Sequence, residues 1–330
     1  MSAAIDVRGL RKSYGEKLVL DGIDLNVAEG TIFSLLGPNG AGKTTAVQIL
    51  STLIAADAGE IRVAGHDLHA EPEQVRAAIG VTGQFSAVDG LLTGRENLIM
   101  MADLNHLGRQ QSRRRADELL KRFDLVEAGS KMAMTYSGGM KRRLDLAMTL
   151  VGDPRIIFLD EPTTGLDPRS RHSMWQLIRE LVATGVTVFL TTQILEEADQ
   201  LAGQIAVLDH GRLVAQGNPE QLKRLVPGGH VRLRFTSPEA FALAGQVLPT
   251  AAQNHESLVL QVPSDGSVHS LRALLARIDD SSLEVDELTV HTPDLDDVFF
   301  AVTGERGGGV GKVSSQPTTH ENTDEKVTSK

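Results

Sequence analysis

The sequence predicts an α/β fold, in which a large first domain is followed by a small α+β domain and a disordered tail. The first observation is a short apolar run, residues 31–36, that leads into a glycine-rich loop and then a helical pattern. The second is another apolar run, residues 155–160, that ends in an acidic residue, as expected for a buried strand of a parallel sheet. The third is a change of pattern after residue 230, where alternating segments are separated by helical ones.

The glycine-rich loop has the spacing G-x-x-x-x-G-K-S/T of a phosphate-binding loop. Its residues are Gly37, Pro38, Asn39, Gly40, Ala41, Gly42, Lys43, Thr44 and Thr45. The glycines allow backbone N–H groups to point at phosphate oxygens, and the following helix, whose pattern covers residues 46–53, adds its positive end. Lys43 would bring a positive charge to the β- and γ-phosphates, and the Thr44 hydroxyl would bind Mg²⁺. A chance match is the alternative, which the flanking strand and helix disfavour.

An acidic pair follows the second apolar run. Asp160, at the carboxyl end of the predicted strand, would hold Mg²⁺ directly or through water, and Glu161 could polarise the attacking water. The alternative is a pair of helix-capping acids before Pro162, which is common where a helix begins. The phosphate-binding loop in the same chain favours the catalytic interpretation.

A second anion site is predicted about a hundred residues after the first. Ser137, Gly138 and Gly139 precede an amphipathic helix that reaches about residue 151, so a hydroxyl, free N–H groups and a helix dipole combine there. A simple serine N-cap is the alternative. Two phosphate sites in one chain make sense if each supplies half of a pocket that a second copy closes.

Together these motifs resemble the ATPase subunits of ABC transporters, over roughly the first 220 residues. The resemblance implies a P-loop ABC-type ATPase core with a helical signature subdomain. Residues 137–139 are similar to the core of the family signature, and residues 159–167 to its magnesium and catalytic segment with the loop that crosses the dimer. The implied homodimer sandwiches two ATP molecules, with residues 37–45 of one copy facing residues 137–139 of the other.

The same resemblance implies further roles for single residues. Gln84 stands where the family has the glutamine that senses the γ-phosphate and binds Mg²⁺. Tyr14 stands where an aromatic ring stacks on adenine, and Asp167 lies in the segment that crosses the dimer. The implied cofactors are therefore ATP and Mg²⁺.

Some positions depart from the family pattern. Gln193 stands where the family usually has a histidine switch; an amide can donate a hydrogen bond to the γ-phosphate, but it cannot carry a proton. The signature begins with Tyr136 and has Met140 where glutamine is usual, although the serine and glycines are intact. Residues 92–98, 136–145 and 191–193 resemble daunorubicin/doxorubicin-resistance exporters, a subfamily that commonly has glutamine at the switch. The departure thus indicates the subfamily and not an inactive enzyme.

Composition limits the function classes. The chain has 33 Lys and Arg against 43 Asp and Glu, a formal net charge of −10, which argues against a general nucleic-acid binder. It has no cysteine, so disulfides and thiol catalysis are excluded and a reducing cytoplasm fits. No apolar run approaches the roughly 18–20 residues that cross a bilayer, and no signal-peptide pattern is present. A transport path would lie in another polypeptide, and we expect this chain at the cytoplasmic face of the membrane, bound to an integral membrane permease.

We expect three parts along the chain. Residues 1–225 would form the ATP-binding domain, with the helical subdomain at about 87–151, and residues 230–303 the small α+β domain. Residues 304–330 lack apolar periodicity and are interpreted as a disordered tail. The arginine run at 113–115 is interpreted as a solvated helix face in preference to a lipid or nucleic-acid patch.

The small domain is expected to combine alternating strands with helices. The strands are predicted at 231–235, 258–262 and 283–285, and the helices at 238–247 and 268–278. Four histidines lack metal-ligand spacing and are interpreted as surface residues: His230, His255, His269 and His291. The pattern at 295–300 favours a terminal packing helix, with a docking element for a partner as the alternative.

The predicted function is ATP hydrolysis that energises export of a drug-like or antibiotic compound through a separate permease. A soluble ABC-type mechanoenzyme acting on nucleic acid or ribosomes is the alternative. Such proteins usually carry two fused ATPase cores or a long coiled coil, whereas this chain has one phosphate-binding loop and no long heptad run. A P-loop kinase would not need the second anion site at residues 137–139.

Overall fold

The computed structural model describes residues 3–84, 86–226, 229–265, 267–281 and 283–303. Within these residues the chain forms three β-sheets with helices packed on them, and the predicted α/β fold class is confirmed. The predicted disordered tail at 304–330 lies outside the described residues. No helix in the described ranges is long and apolar enough to span a membrane.

The central sheet has six strands in the order β10-β9-β3-β8-β7-β6. These are β3 (Ile32–Leu36), β6 (Ile79–Thr82), β7 (Ile156–Asp160), β8 (Thr187–Thr192), β9 (Gln204–Asp209) and β10 (Arg212–Gly217). The strands from β9 to β6 are parallel, and β10 returns antiparallel to β9 through a hairpin. Strands β3, β7 and β8 are buried at every residue, which explains why each carries a run of consecutive apolar residues and no alternation of apolar and polar ones. Their carboxyl ends meet at one edge of the sheet.

A four-stranded antiparallel sheet, in the order β2-β1-β4-β5, covers one side of the core. Its strands are β1 (Ala3–Tyr14), β2 (Lys17–Ala28), β4 (Ala58–Val63) and β5 (His66–Asp67). Buried residues of this sheet pack with helix α1 (Lys43–Leu50) and the central sheet in one cluster. In that cluster the rings of Phe33 and Phe189 stack with centroids 5.3 Å apart.

Helices cover the central sheet and build the segment between β6 and β7. They are α2 (Pro72–Ala78), α3 (Gly94–Leu104), α4 (Arg109–Arg122), α5 (Gly138–Thr149), α6 (Pro168–Ala183) and α7 (Leu195–Leu201). Arg113 and Arg114 on α4 are exposed, as the solvated-face interpretation requires. Arg115 differs, because its side chain is only 15% exposed and donates to the Leu150 carbonyl oxygen at 2.7 Å.

The C-terminal segment forms the third sheet, in the order β12-β13-β11-β14, after the short helix α8 (Pro219–Lys223). Its elements are β11 (His230–Arg234), α9 (Pro238–Val247), β12 (Ala252–Asn254), β13 (Val259–Pro263), α10 (Val268–Asp280) and β14 (Glu287–His291). The prediction of a strand at 283–285 is wrong. The Leu283 N–H donates to the Ile278 carbonyl oxygen, and the Leu283 side chain is buried in the cluster under the third sheet. The apolar alternation at these residues therefore reflects core packing and not strand pairing.

The last described helix, α11 (Leu295–Thr303), packs on the ATPase core. Leu295 and Val298 are buried in a cluster with Leu36, Ala198 and Leu222, so the prediction of a packing helix is confirmed.

Two of the four histidines of the C-terminal segment lie side by side. The ring centroids of His230 and His291 are 4.8 Å apart. Among the described residues, however, no group of three His, Cys, Asp or Glu side chains could hold a metal ion.

Candidate nucleotide-binding site

The phosphate-binding loop connects the carboxyl end of β3 to α1, as predicted. The Gly37 N–H donates to the Thr192 carbonyl oxygen at 3.2 Å, and a Cβ at Gly37 would lie only 2.3 Å from the Leu208 carbonyl oxygen. Gly42 has φ 111°, and a Cβ there would lie 2.7 Å from a Leu20 methyl carbon. Gly37 is therefore required by its close packing against β9, and Gly42 both by its left-handed backbone conformation and by its packing against β2.

The start of α1 offers hydrogen-bond donors to an anion. Helix α1 begins at Lys43, three residues before the apolar pattern that starts at residue 46, and no side chain caps it because its N-cap residue is Gly42. The first N–H groups of a helix have no intrahelical acceptor, and they carry the positive end of the dipole. Thr44 is exposed at this end. The loop and helix start thus fit a polyphosphate group.

Lys43 lies inside this loop and is only 5% exposed. Its Nζ donates to the carbonyl oxygens of Gly37 at 2.8 Å and Pro38 at 3.0 Å, and it lies 3.7 Å from Glu161 Oε1. Burial lowers the pKa of Lys43, whereas the carboxylates of Glu161 and Asp160 act in the opposite direction. The predicted phosphate-binding cation and the predicted catalytic acid therefore share one location.

The two adjacent acids have different partners, as the sequence interpretation requires. Asp160 is buried as the last residue of β7 and accepts a hydrogen bond from the Thr191 hydroxyl. Glu161 has φ 49°, a left-handed conformation that is uncommon outside glycine and typical of strained functional positions. Its backbone N–H donates to the Thr191 carbonyl oxygen at 3.1 Å, and its Oε2 accepts from the Thr164 hydroxyl at 3.2 Å. The turn at Glu161 thus gives the two carboxylates different hydrogen-bond partners.

The two predicted glutamines follow neighbouring strands of the same edge. Thr82, the last residue of β6, pairs with Leu159, so exposed Gln84 lies two residues beyond the end of a strand that is adjacent to β7. Gln193 directly follows β8 and is also exposed. Gln84 and Gln193 therefore flank the edge that carries Asp160.

Tyr14 ends β1 and is 50% exposed, which leaves its ring accessible. The ammonium group of Lys12 lies 5.6 Å from the ring centroid, a cation–π arrangement. The hairpin after Tyr14 leads to Leu20, which contacts Gly42 of the phosphate-binding loop. The predicted adenine-stacking residue thus lies on a hairpin that packs against the loop.

The second anion site forms the start of α5. Ser137 is its N-cap residue, and its hydroxyl accepts from the Met140 N–H at 3.3 Å. A Cβ at Gly139 would lie 2.9 Å from the Ser170 hydroxyl oxygen, and that hydroxyl donates to Asp167 at 2.6 Å. Hydrogen bonds from the Ser170 hydroxyl and N–H lower the pKa of Asp167. The signature residues and Asp167 therefore lie together on one surface.

The two anion sites are not joined within one chain. Ser137, Gly138 and Asp167 are exposed, and in the part of the chain that the structure describes no hydrogen bond connects residues 137–139 to residues 37–45.

The departure at Tyr136 has a structural explanation. Its hydroxyl donates to the Ala128 carbonyl oxygen at 2.6 Å, and a Cβ at Gly94 would lie 2.2 Å from that hydroxyl oxygen. The buried tyrosine is therefore accommodated by a glycine at the first position of α3.

The sequence interpretation missed three polar residues near the site whose side chains are largely or fully buried. Arg142 and Asp145 lie on α5, and Glu197 on α7 is completely buried. Glu197 Oε1 accepts from the Thr163 hydroxyl at 2.7 Å and from the Trp175 indole N–H at 3.0 Å, and burial raises the pKa of Glu197. The available signal was the i, i+3 spacing of opposite charges on the side of α5 that carries its apolar residues.

Comparisons with known proteins agree with this geometry. Residues 20–164 match the family described as ABC transporter. The chain is 49% identical to the daunorubicin resistance ATP-binding protein DrrA2 of Streptomyces coeruleorubidus, over 92% of this chain and 96% of that protein. It is 42% identical to the doxorubicin resistance ATP-binding protein DrrA of Mycobacterium tuberculosis strain H37Rv, over 91% and 93%. It is 39% identical to the Nod factor export ATP-binding protein I of Paraburkholderia xenovorans, over 92% and 97%.

Solved structures resemble the ATPase core. An ATP-binding subunit of an ABC transporter matches with 28% identity and a TM-score of 0.60, over 67% of this chain and 92% of that chain. A dimeric, post-hydrolysis ATP-binding cassette bound to ADP and Pi matches with 27% identity and a TM-score of 0.59, over 65% and 98%.

The fold and its paired anion sites define a P-loop ATPase of the cassette type. The chain belongs to the ABC transporter ATP-binding subunits, of the drug-resistance and export type, whose domain binds and hydrolyses ATP. The predicted family and the predicted ATPase activity are confirmed, and a mechanoenzyme acting on nucleic acid or ribosomes is not favoured.

Proposed function

We propose that this chain energises export of a drug-like or antibiotic compound through a separate integral membrane permease, at the cytoplasmic face of the membrane. The observation that carries the proposal is that relatives named for drug resistance or Nod factor export align over 92% of this chain. The alignment therefore extends beyond the ATPase core into the C-terminal segment. We divide the chain accordingly into an ATP-binding domain at 1–225, with its helical subdomain at about 87–151, and an accessory domain at 230–303.

ATP binding is assigned to two copies of the chain. Residues 37–45 of one copy would hold the phosphates through backbone N–H groups and Lys43, with adenine stacked on Tyr14. Ser137, Gly138 and Asp167 of the other copy would close the pocket, which agrees with their exposure on a separate surface. The dimeric state of the related cassette bound to ADP and Pi supports this homodimer.

Mg²⁺ fits the donors at the carboxyl edge of the sheet, because it prefers one or two carboxylate or hydroxyl oxygens together with substrate phosphates. We assign Thr44, Asp160 and Gln84 to it. When bound, the ion would neutralise charge on the β- and γ-phosphates.

Hydrolysis is assigned to Glu161 and Gln193. Glu161 would accept a proton from the attacking water, and the Thr164 hydroxyl, 3.2 Å from Oε2, would hold the carboxylate in its orientation. Gln193 would donate a hydrogen bond to the γ-phosphate from the end of β8, and Gln84 would orient the water and the phosphate from the end of β6.

The Gln193 role predicts a graded mutant series. We expect Gln193→Ala to lower ATP turnover by about ten- to a hundredfold, since one hydrogen bond to a charged group contributes roughly 1.5–3 kcal/mol. Gln193→Asn should be partly impaired by its shorter reach. Turnover of the parent should show no pH step from this residue, whereas Gln193→His should introduce one or alter the rate between about pH 5 and 8. Steady-state phosphate release with the permease present measures all three. Turnover of Gln193→Ala equal to the parent would make the side chain a bystander.

The permease proposal is tested by purifying the full chain from detergent-solubilised membranes of its own cells. We expect a polytopic membrane protein to co-purify, and co-expression of both in a host cell to lower accumulation of fluorescent daunorubicin, the drug in the name of the DrrA2 relative. The Lys43→Ala variant is the control, because it should still bind the permease but not lower accumulation. Increased accumulation would indicate import. Recovery with ribosomes or DNA and without a membrane protein would contradict the proposal.

A further inference from the structure

We propose that Arg142 is a positioning residue that ties the signature helix α5 to both catalytic loops of its own nucleotide site. This inference rests on the proposed function, because it assigns those loops to Gln84 and Glu161. No role was predicted for Arg142 from the sequence, and none of the groups that contact nucleotide in the proposed function includes it.

The guanidinium group of Arg142 donates hydrogen bonds to the carbonyl oxygens of three consecutive residues in the loop that carries Glu161. Nε donates to the Pro162 carbonyl oxygen at 2.8 Å, and Nη2 donates to the carbonyl oxygens of Asp160 and Glu161, both at 3.1 Å. Arginine is suited to this task, because its planar group presents five donors in a fixed geometry. Glu161 is the residue with φ 49°, so Arg142 holds the carbonyl group of the strained residue itself.

The same side chain reaches the loop that carries Gln84. Nη1 of Arg142 donates to the Gly83 carbonyl oxygen at 3.1 Å, next to Gln84 in sequence. Asp145, one turn further along α5, accepts from the Ala87 N–H at 3.2 Å and lies 3.4 Å from Arg142 Nη1. The Gln84 segment is thus held at Gly83 by Arg142 and at Ala87 by Asp145.

The two side chains that make these contacts are largely buried, so breaking the contacts would be energetically costly. The side chains of Arg142 and Asp145 are 11% and 4% exposed. Desolvation raises the pKa of Asp145, and hydrogen bonding by Ala87 and the charge of Arg142 oppose that rise. Buried charges of this kind are stable only when each is hydrogen-bonded and paired. Movement of either loop away from α5 would therefore leave a buried charged group without its partner.

The position of Arg142 on α5 would let a movement of this helix reach both catalytic loops. The helix begins at Ser137, which in the proposed dimer contacts the ATP held by the partner chain. Arg142 follows little more than one turn later, on a helix that runs to Thr149. A shift of α5 on binding that ATP would therefore move the carbonyl groups around Gln84 and Glu161, which links the two nucleotide sites through each chain.

Arg143 provides a matched control on the same helix. Its guanidinium donates to the Phe123 carbonyl oxygen at 3.2 Å and to Asp124, which is 99% exposed. It contacts neither catalytic loop through a hydrogen bond in the described residues. Arg142→Met and Arg143→Met remove the same group from adjacent residues, so their comparison isolates the loop contacts.

The first measurement needs no nucleotide. Hydrogen exchange of the full chain should be about threefold faster or more in Arg142→Met at two amides that lie in these loops, those of Ala87 and Thr164, and unchanged there in Arg143→Met. Equal exchange in both variants would overturn the proposal. Should Arg142→Met prove unfolded by circular dichroism, Arg142→Lys and Asp145→Asn would carry the same comparison, since lysine keeps the charge but cannot reach all four carbonyl groups.

The second measurement is the division of the effect between kcat and KM for ATP. We expect kcat to fall by about ten- to a hundredfold in Arg142→Met with KM changed by less than about threefold, and Arg142→Lys to recover part of the loss. A general loss of stability would instead lower the folded fraction and the melting temperature of both methionine variants. Parent-like kcat in folded Arg142→Met would overturn the proposal. A parent chain without ATPase activity would overturn the proposed function and leave the exchange measurement to decide the role of Arg142.

Discussion

Replacing Glu161 with glutamine is expected to lower ATP turnover by about 10²- to 10⁴-fold while ATP binding persists. Glutamine keeps the size and the hydrogen-bonding shape of the side chain, but it cannot accept a proton from water. The carboxylate lies at the carboxyl end of β7, 3.7 Å from Lys43 Nζ and hydrogen-bonded by Thr164, so the substitution removes the base from a site that is otherwise retained. Phosphate release measures turnover, and titration with a fluorescent ATP analogue measures binding.

Lys43→Ala differs from Glu161→Gln, because it removes the buried cation from the phosphate-binding loop and should impair ATP binding itself. Both binding and turnover should then weaken greatly. Lys121→Ala, which removes an exposed lysine of α4, is the control and should match the parent. Near-normal hydrolysis by Glu161→Gln would remove Glu161 from the role of base, and tight ATP binding by Lys43→Ala would remove Lys43 from phosphate binding.

The parts of the site that the sequence predicted are those set by local spacing. The phosphate-binding loop, the acidic pair after β7 and the serine cap of α5 each depend on a few consecutive residues, and their geometry follows from the strand or helix that they join. The apolar pattern of α1 begins three residues after the helix does, because its first turn contains Lys43 and Thr44 and not apolar residues. The helical period becomes visible in the sequence only from Ala46 onward.

Contacts between distant segments could not be predicted in this way. Arg142 donates to the Gly83 carbonyl oxygen, 59 residues away in sequence, and Glu197 accepts from the Thr163 hydroxyl, 34 residues away. Contacts at such separations leave no periodic pattern in the sequence. The pairing of Tyr136 with Gly94 is of the same kind, since glycine at the start of a helix suggests flexibility when the ring that needs the space is unknown. In the C-terminal sheet, β14 was missed because its residues are half-buried or exposed and show no apolar alternation.

In the Glu161→Gln background, ATP should convert the 35.5 kDa chain into a dimer of twice that mass, and adding Ser137→Arg should prevent it. Ser137 is exposed at the start of α5, where a small side chain leaves room for a phosphate group of the partner's ATP. The added guanidinium group would by itself attract phosphate. Loss of the dimer would therefore report exclusion by size at the contact between the two chains. Light scattering with and without ATP measures the mass.

Ser137→Arg also removes a helix N-cap, which costs about 0.5–2 kcal/mol of stability, and brings a positive charge to the positive end of a helix. Ser267→Arg controls for both effects, because Ser267 caps α10 in the C-terminal segment in the same way, its hydroxyl accepting from the Ser270 N–H. Thermal unfolding should show comparable destabilisation of the two variants, while only Ser267→Arg still dimerises with ATP. Dimers of equal mass in both variants would contradict the arrangement in which Ser137 faces the partner's nucleotide, and with it the reason for two anion sites in one chain.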